Sequence, residues 1–443
     1  MFEPLYTAEE MRAAEQGHDV DELMERAGRG VAEEILRRFP DARRIAGVCG
    51  SGANGGDARI ALRILREAGI DAVETDDFDG VDVIVDGLLG TGLRDAPRDE
   101  AAARIEQINS ARLPVVAVDV PSGVDASTGE IHGRAVRATH TVTFHGRKVG
   151  LEVAPGRFHV GTVSVADIGL SHADETSHRL VTREALRLVP RRGPTDNKYT
   201  AGSVLVVGGS RGLTGAACLA AEAAFRADAG YVAVAAPPES LPVLEVRLLE
   251  AVKRPLEEVF DAVERADALA LGPGLGPGHE GLVRRLLQET NLPAVVDADG
   301  LRDLEPFRRD AHTVLTPHEG ELGRLLGEDS EWVAAHRLEA LRRGVQRFGG
   351  WVVLLKGADT LVGTLSGPTF VVAAGPPSLA TAGTGDVLTG VIAAFLAKGL
   401  HAPIAAAVGA VAQQEAASIL SPQTGVVASD VVAALPEAID APL

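Results

Sequence analysis

The sequence predicts an α/β protein with two domains, each a mostly parallel sheet flanked by helices. Short apolar strands alternate with helix-like segments in both halves of the chain, which is typical of a parallel sheet covered on both faces. The alternation stops in a polar, proline-containing stretch at residues 171–200 and then starts again. At 443 residues the chain is also too long for one ordinary core. We therefore expect domains over residues 1–175 and 176–443.

The elements of the first half follow from caps and periodicity. Thr7 and Glu10 form a capping-box pattern, which predicts a helix that ends near Gln16. Apolar runs and amphipathic stretches predict strands at residues 44–49, 81–86 and 114–119, helices at 20–39, 57–68 and 98–110, and further β-branched strands at 139–144 and 161–165.

The second half repeats the pattern after the polar stretch, which we interpret as a linker. Its predicted strands cover residues 203–207, 232–236, 268–271, 294–297, 313–316 and 351–355. Its predicted helices cover residues 215–229, 332–348, 385–398, 403–420 and 429–435.

Composition excludes several classes of protein. Hydrophobic residues make up 46% and charged residues 24%, which is ordinary for a globular chain, while the net charge of −19 argues against nucleic acid as a partner. Only Cys49 and Cys218 are present, so we expect no disulfide framework and a cytoplasmic location. The first 15 residues lack an apolar core and the apolar runs are short, so we expect no signal peptide and no membrane segment.

The first glycine-rich loop follows a predicted strand. Residues 50–55 match the pattern G-x-G-x-x-G, where free backbone N–H groups at a helix start bind an anion. Asp71 and Asp76 lie near the distance expected of a ribose-binding acid in a dehydrogenase. Asn54 and Asp57 place polar groups where a dinucleotide loop has small apolar ones. A dehydrogenase and a plain strand-to-helix turn remain alternatives at this point.

Two more loops carry acids at strand ends. Asp86 precedes a glycine turn at residues 90–92, and Asp119 opens a segment that continues through Ser122 to Asp125. In an open α/β sheet these carboxyl ends converge on one crevice. A single aspartate at the end of a strand commonly has a structural role, in which it forms a turn or caps a helix. Two of them beside a loop with Asn54 indicate a candidate cation site with a base.

These three loops, over residues 1–170, resemble the NAD(P)HX epimerase domain, which has a Rossmann-like fold. The family loop is usually Asn-Asn-Gly-Gly-Asp-Gly, whereas this chain has Ala53 and Ala58 at its two ends. The resemblance implies a potassium ion held by Asn54, Asp86 and Ser122, with Asp119 in catalysis. It also implies that the ligand is contacted by Asn54, Gly55, Gly56, Asp57, Gly90, Thr91, Gly92, Leu93, Arg94, Asp95, Ala96 and Asp119.

The second half has its own anion-binding pattern. Gly383, Thr384, Gly385 and Asp386 open an Ala/Leu-rich helix and resemble the anion hole and base of the ribokinase-like kinases. The resemblance implies that backbone N–H groups there stabilise a transferring phosphoryl group and that the aspartate takes a proton. There is no P-loop pattern. An aspartate near a helix start is also common capping chemistry. Four further strand ends carry glycine or proline, at residues 207–216, 272–276, 316–321 and 356–360.

This ordered set, over residues 195–435, resembles the ADP-dependent NAD(P)H-hydrate dehydratases of the ribokinase-like superfamily. Departures are Asp228, where a glycine is usual, and Asn197-Lys198-Tyr199, where His-Lys-Gly is usual. The resemblance implies Asp386 as the catalytic base and Glu321 as an acid that orders magnesium-bound water. It implies ADP contacts from Lys356, Gly357, Ala358, Asp359, Thr360 and Gly385, and hydrate contacts from Ala216, Gly274, His318 and Asp386.

Together the resemblances imply a bifunctional repair enzyme for hydrated NADH and NADPH, with K⁺ and Mg²⁺ as cofactors and ADP as co-substrate. The first half would interconvert R and S hydrates, and the second would dehydrate the S form. We also expect a homo-oligomer and no nucleic-acid or membrane partner. Two alternatives remain: a kinase of a hydroxymethylpyrimidine or thiazole alcohol in the second half, and a non-catalytic nucleotide-binding module in the first.

Overall fold

A computed structural model describes residues 1–93, 95–171 and 176–441 of the chain. The chain divides into two compact units. The first in sequence contains Pro4–Arg179 with Ala334–Arg337, and the second contains Met1–Glu3, Leu180–Val333 and Leu338–Leu443. The first three residues therefore belong with the later part of the chain. The predicted boundary after residue 175 lies outside the described residues.

The first part of the chain alternates strands and helices as predicted. Its strands are β1 (Phe2–Leu5), β2 (Arg44–Cys49), β3 (Asp71–Glu74), β4 (Val83–Gly87), β5 (Val115–Val118), β6 (His140–Phe144), β7 (Thr162–Ala166) and β8 (His178–Val181). Its helices are α1 (Ala8–Glu15), α2 (Val20–Arg38), α3 (Ala53–Glu67) and α4 (Asp99–Ala111).

Six of these strands form one sheet in the order β3-β2-β4-β5-β6-β7, with every neighbouring pair parallel. The chain runs from β2 outward to β3 and then returns to β4 on the other side, so the crevice between β2 and β4 is a topological switch point. Helix α3 begins at Ala53, four residues earlier than predicted. The glycine-rich segment is thus the first turn of the helix as well as a loop.

The second part starts at strand β9 and follows the same alternation. Its strands are β9 (Ser203–Val207), β10 (Tyr231–Ala236), β11 (Val252–Pro255), β12 (Ala268–Leu271), β13 (Ala294–Val296), β14 (Thr313–Leu315), β15 (Val352–Leu355), β16 (Thr360–Gly363) and β17 (Thr369–Val372). Its helices are α5 (Thr214–Arg226), α6 (Leu241–Arg247), α7 (Val259–Val263), α8 (Glu280–Glu289), α9 (Glu319–Leu326), α10 (Ser330–Ala335), α11 (Arg337–Phe348), α12 (Thr384–Ala397), α13 (Ala402–Ser418) and α14 (Ala428–Asp440).

The second sheet has eleven strands among the described residues, in the order β1-β8-β17-β16-β15-β14-β13-β12-β9-β10-β11. The pairs from β11 through β15 are parallel, whereas β15, β16 and β17 pair antiparallel. The predicted α/β class is confirmed. Residues 171–200, which the sequence predicts to link the two halves, contain the division between the units after Arg179, and they also contain strand β8, in which Leu180 and Val181 are buried.

Two helices in the second part show how packing modifies the sequence pattern. The predicted helix 332–348 is two helices, α10 and α11, with a break at His336. Helix α12 is apolar on all sides because it is buried from Val387 to Leu396. It packs closely against α5, since a Cβ atom on Gly390 would lie 2.1 Å from the Ala220 carbonyl oxygen. Among the described residues, no helix combines the length and apolarity that crossing a bilayer requires.

Candidate active sites

The first candidate site lies at the switch point of the six-stranded sheet, where three loops meet. The loops approach each other so closely that their glycine positions leave no room for a larger side chain. A Cβ atom on Gly50 would lie 2.0 Å from the Leu88 carbonyl oxygen, and one on Gly55 would lie 2.0 Å from the Gly50 carbonyl oxygen. A Cβ atom on Gly90 would lie 2.9 Å from the side chain of Asn54. The glycines therefore allow the loop after β2 to touch the loop after β4.

A cluster of oxygen atoms lies between these loops. The Ser122 hydroxyl donates to Asp86 Oδ1 at 2.6 Å, and the Ser122 backbone N–H donates to Asp86 Oδ2 at 2.8 Å. The Asn54 side-chain amide donates to the Leu89 carbonyl oxygen at 2.7 Å. The structure thus brings together Asn54, Asp86 and Ser122, which the sequence resemblance assigns to potassium.

The chemistry of this cluster fits a hard monovalent cation. Asp86 is completely buried, and the groups that hydrogen-bond to it are the neutral Ser122 and the Leu88 backbone N–H. Burial raises the pKa of Asp86 to about 6, although these hydrogen bonds act in the opposite direction. A buried carboxylate is costly without a counter-charge, and oxygen donors on separate loops are the ligands that such a cation prefers.

Asp119 lies at the end of β5 and pairs with a buried lysine. Lys148 Nζ is 2.5 Å from Asp119 Oδ1, and the same oxygen accepts a hydrogen bond from the Thr143 hydroxyl at 2.9 Å. The backbone of Asp119 has a positive φ of 62°, which is uncommon outside glycine and clusters at functional sites. The side chain is therefore held in place by donors that converge on its Oδ1 atom.

Asp57 is a second buried acid of the same site. It is 7% exposed, and its Oδ1 atom has no hydrogen-bond partner among the described residues. Burial, together with the negative charges of Asp119 and Glu15, raises the pKa of Asp57 to about 8. At neutral pH the carboxyl therefore carries a proton that it can donate.

The remaining predicted ligand residues of the first half follow strand β4. Gly90 contacts Asn54, whereas Gly92, Asp95 and Ala96 are exposed and Thr91 and Leu93 are half-buried. Arg94 lies outside the described residues. The glycine turn therefore borders the switch-point crevice, and its exposed end is open to a ligand.

The second candidate site lies at the switch point of the larger sheet, between β9 and β12. A Cβ atom on Gly208 would lie 2.0 Å from the Pro273 carbonyl oxygen, so the loops after the two strands touch. Gly274 has a positive φ of 58°, and its Cβ position is 3.0 Å from that of Ala216. The structure thus brings together Ala216 and Gly274, two of the predicted hydrate contacts.

A cavity of about 360 Å³ opens beside the first turn of α12. It is lined by residues of the strand ends and by the start of the helix, among them His318, Lys356, Gly357, Ala358, Thr360 and Gly385. Asp359 is completely buried and is not among the residues that line the cavity. The other predicted nucleotide contacts share this one cavity.

The charged groups of this site surround the lysine. Lys356 Nζ lies 2.6 Å from Asp297 Oδ1 and 3.9 Å from Glu321 Oε2. Burial lowers the pKa of Lys356, but the charges of Asp297 and Glu321 outweigh it, so the pKa lies above its ordinary value. Burial, followed by the charge of Asp297, raises the pKa of Asp386 to about 7. A carboxylate with a pKa near neutrality is well matched to general-base catalysis.

Glu321 and His318 belong to one capping box at the start of α9. Glu321 accepts a hydrogen bond from the His318 backbone N–H at 2.8 Å, and the His318 ring accepts from the Gly320 backbone N–H at 3.0 Å. In the described part of the chain, no three His, Cys, Asp or Glu side chains are grouped closely enough to hold a metal ion.

Two functional residues were missed by sequence reasoning. Asp297 directly follows β13, as Asp119 directly follows β5, so the strand-end position was an available signal. Lys148 had a weaker signal, because a lysine within an apolar, glycine-containing stretch does not reveal its partner. Both form buried ion pairs with distant residues.

Comparisons with known proteins agree with the two-part organisation. A family model described as NAD(P)H-hydrate dehydratase matches residues 204–437, and one described as YjeF-related protein N-terminus matches residues 20–78 and 72–150. The bifunctional NAD(P)H-hydrate repair enzyme Nnr of Moorella thermoacetica is 37% identical, over 88% of this chain and 86% of that protein. The protein of the same name from Escherichia coli K12 is 36% identical, over 91% of this chain and 86% of its own length.

A solved structure resembles the second part. The ADP/ATP-dependent NAD(P)H-hydrate dehydratase of Bacillus subtilis, co-crystallised with ATP/Mg²⁺, is 27% identical with a TM-score of 0.54. The match covers 58% of this chain and 96% of that chain.

Proposed function

The chain belongs to the family of bifunctional NAD(P)H-hydrate repair enzymes, and on that premise we propose that it repairs hydrated NADH and NADPH in two steps. The site at the switch point of the smaller sheet interconverts the R and S hydrates. The site beside α12 dehydrates the S hydrate at the expense of ADP. Each site combines a glycine-rich segment at a helix start with an acid of raised pKa, Asp57 in the first and Asp386 in the second, and this supports the division.

The first step follows from the chemistry of the hydrate. Water adds to the ring carbon next to the ring nitrogen, so the hydroxyl leaves readily once it is protonated. Protonated Asp57 donates that proton, and water departs to leave a planar iminium carbon. Water then adds to the opposite face and gives its proton to the Asp119 carboxylate, and proton exchange with solvent returns both acids to their starting states. Lys148 holds the Asp119 side chain in position.

Asn54, Asp86 and Ser122 would hold the potassium ion of this site. When bound, the cation supplies positive charge beside an anionic ligand. The ion offsets the burial of Asp86, which otherwise has neutral partners only. The glycine turn that begins at Gly90 contacts Asn54 and so links cation binding to the ligand crevice.

The second step uses phosphorylation to create a leaving group. Asp386 accepts the proton of the ring hydroxyl as its oxygen attacks the terminal phosphorus of ADP, and the P–O bond to AMP breaks. The backbone N–H groups at Gly385 and the Lys356 ammonium offset the charge on the phosphoryl oxygens. Phosphate then leaves the ring, a proton leaves the neighbouring carbon, and the reduced nicotinamide is restored.

Magnesium and the nucleotide belong together in this proposal. Glu321, held by the His318 backbone N–H, would orient water on a magnesium ion that the ADP phosphates bind. The ion, when bound, supplies positive charge to those phosphates. Lys356, Gly357, Ala358, Thr360 and Gly385 line a cavity large enough for part of a nucleotide.

The cytoplasm is the proposed location, supported by two cysteines that are free and buried. Burial raises the pKa of Cys49 to about 12, so this thiol is inert. The homo-oligomer expected from the sequence stays a prediction.

The observation that carries the proposal is the contact of the Lys356–Asp297 pair with the first turn of α12, beside Asp386. The test is to incubate the pure protein with an equal mixture of R and S hydrates, ADP, Mg²⁺ and K⁺. We expect the absorbance of the reduced nicotinamide to recover completely. Recovery that stops at about half would contradict the epimerase, and no recovery would contradict the dehydratase.

A further inference from the structure

Asp297 is a buried carboxylate that neither of the predicted catalytic roles uses. It directly follows β13, and its side chain is 2% exposed. Its Oδ1 atom accepts a hydrogen bond from Lys356 Nζ at 2.6 Å, and its Oδ2 atom accepts one from the Thr389 hydroxyl at 2.8 Å. Both oxygens are therefore occupied, one by a charge and one by a neutral donor.

The backbone of Asp297 is fixed as firmly as its side chain. Its N–H donates to the Leu271 carbonyl oxygen at 3.0 Å, which continues the pairing of β13 with β12. A Cβ atom on Gly272 would lie 1.9 Å from the Asp297 carbonyl oxygen, so the loop that follows β12 packs directly against the Asp297 backbone. The carboxylate consequently has little freedom to follow a lysine that moves.

The pair lies directly against the anion-binding turn. A Cβ atom on Gly385 would be 3.3 Å from Lys356 Nζ and 3.6 Å from Asp297 Oδ2. Lys356 also lines the cavity beside α12, whereas Thr389 is one turn further along the same helix. Asp297 thus ties the lysine ammonium to the helix whose start would bind the phosphoryl group.

The ammonium has an alternative partner nearby. Glu321 Oε2 is 3.9 Å from Lys356 Nζ, and a lysine side chain is long and flexible. Without the Asp297 carboxylate, the attraction of Glu321 would draw the ammonium away from Gly385. The ion pair with Asp297 therefore keeps the ammonium beside Gly385.

We propose that Asp297, supported by Thr389, is a positioning residue that holds the Lys356 ammonium where a phosphoryl group is transferred. This rests on the proposed dehydratase function. The ammonium offsets the negative charge on the phosphoryl oxygens as the P–O bond to AMP breaks. Misplacing a stabilising charge by about 1 Å costs up to about 100-fold in rate. A lysine that only bound ADP would change affinity instead.

The test compares Asp297→Asn, Thr389→Val and Thr389→Ser in the full-length enzyme with S hydrate and ADP. We expect Asp297→Asn to lower kcat by about 10- to 100-fold while the KM for ADP changes by less than about 3-fold. We expect a smaller loss for Thr389→Val and near-complete rescue by Thr389→Ser, because serine keeps the hydroxyl. Asp310→Asn, at an exposed carboxyl of the same unit, is the matched control.

Two further readouts separate positioning from a merely structural role. Combining Asp297→Asn with Lys356→Met should lower kcat no more than Lys356→Met alone, since one residue acts through the other. Removing the charge of Asp297 should also move the acidic limb of the kcat/KM profile to lower pH. The reason is that this charge helps to raise the pKa of Asp386, whereas the charges of Lys356, Asp299 and Glu321 are the same in the variant.

Each outcome decides between the two proposals. Hydrate turnover that is equal in wild type, Asp297→Asn and Thr389→Val would reject the positioning role and leave the dehydratase intact. A raised KM for ADP with unchanged kcat would reject it as well. A wild-type enzyme that binds ADP but turns over no hydrate would reject the proposed function itself. If Asp297→Asn fails to fold, the comparison of Thr389→Val with Thr389→Ser still gives the answer.

Discussion

Lys148 Nζ lies 2.5 Å from Asp119 Oδ1, and the lysine side chain is fully buried. The ammonium also donates to the Thr143 hydroxyl and to the Phe144 carbonyl oxygen. All three acceptors lie at the carboxyl ends of β5 and β6. The ion pair therefore fixes the positions of the Asp119 carboxylate and the Lys148 ammonium at the crevice where three glycine-containing loops meet.

Lys148→Met should destabilise the first unit by about 3–5 kcal/mol, because Asp119 would be left buried without its counter-charge. Epimerase activity should fall by about 100-fold or more. Thermal denaturation and hydrate interconversion measure the two effects. Lys398→Met is a matched control, since Lys398 forms a 2.6 Å ion pair with Asp228 in the other unit. Equal epimerase rates in the two variants would contradict a role for Lys148.

Asp57→Asn should change how stability depends on pH. Well below pH 3.8 the carboxyl is protonated in both the folded and the unfolded chain, so the effect of the substitution on stability does not depend on pH there. Between pH 3.8 and about 8 the unfolded chain ionises and the folded chain does not, so the wild type loses stability as pH rises. The melting temperature of the variant relative to the wild type should therefore rise between pH 3.5 and pH 8. A constant difference between pH 3.5 and pH 8 would mean that Asp57 is not protonated in the fold.

Asp86→Ala should weaken hydrate binding and remove the dependence of the epimerase on potassium. The reason is that it deletes the one anionic oxygen donor of the Asn54, Asp86 and Ser122 cluster. Activity should be titrated with potassium chloride at constant ionic strength, with the exposed Asp79→Ala as control. Full wild-type epimerase activity in a buffer free of sodium and potassium would exclude the cation site.

Asp386→Asn should lower dehydration by about two to four orders of magnitude, the usual contribution of a general base. Hydrate interconversion should not change, because the acid lies in the other unit. In the wild type, kcat/KM should fall below about pH 7, since Asp386 must be ionised to accept a proton. A variant that keeps more than about a tenth of the dehydratase rate would remove Asp386 from this role.

A fragment that starts at Ser177 should dehydrate only the S hydrate and stop at about half of an equal mixture. Adding a fragment of the first half should drive the reaction to completion. The fragment from Ser177 lacks β1, whose Phe2 ring lies 5.3 Å from the ring of Phe370. We therefore expect it to melt at a lower temperature than a control fragment with residues 1–5 fused ahead of Ser177. Rapid consumption of both hydrates by the fragment alone would contradict the division of labour.

The sequence by itself determined the features that depend on neighbouring residues. Strand alternation follows from local apolar patterning, and Gly383 before Asp386 marks a helix start because glycine readily adopts the positive φ of 92° found there. The same holds for the capping box of Thr7 and Glu10, whose partners are three residues apart.

Only the tertiary structure decided which charges meet. Lys148 is 29 residues from Asp119, and Lys356 is 59 residues from Asp297. These ion pairs form only when particular strands become neighbours, and the local periodicity of the sequence does not determine the order of the strands in a sheet. For the same reason the sequence did not predict strands β1 and β8. These strands of four residues each lie at opposite ends of the first half of the chain, and both join the larger sheet. Short segments gain their structure from the partners that bury them, so a local pattern cannot reveal it.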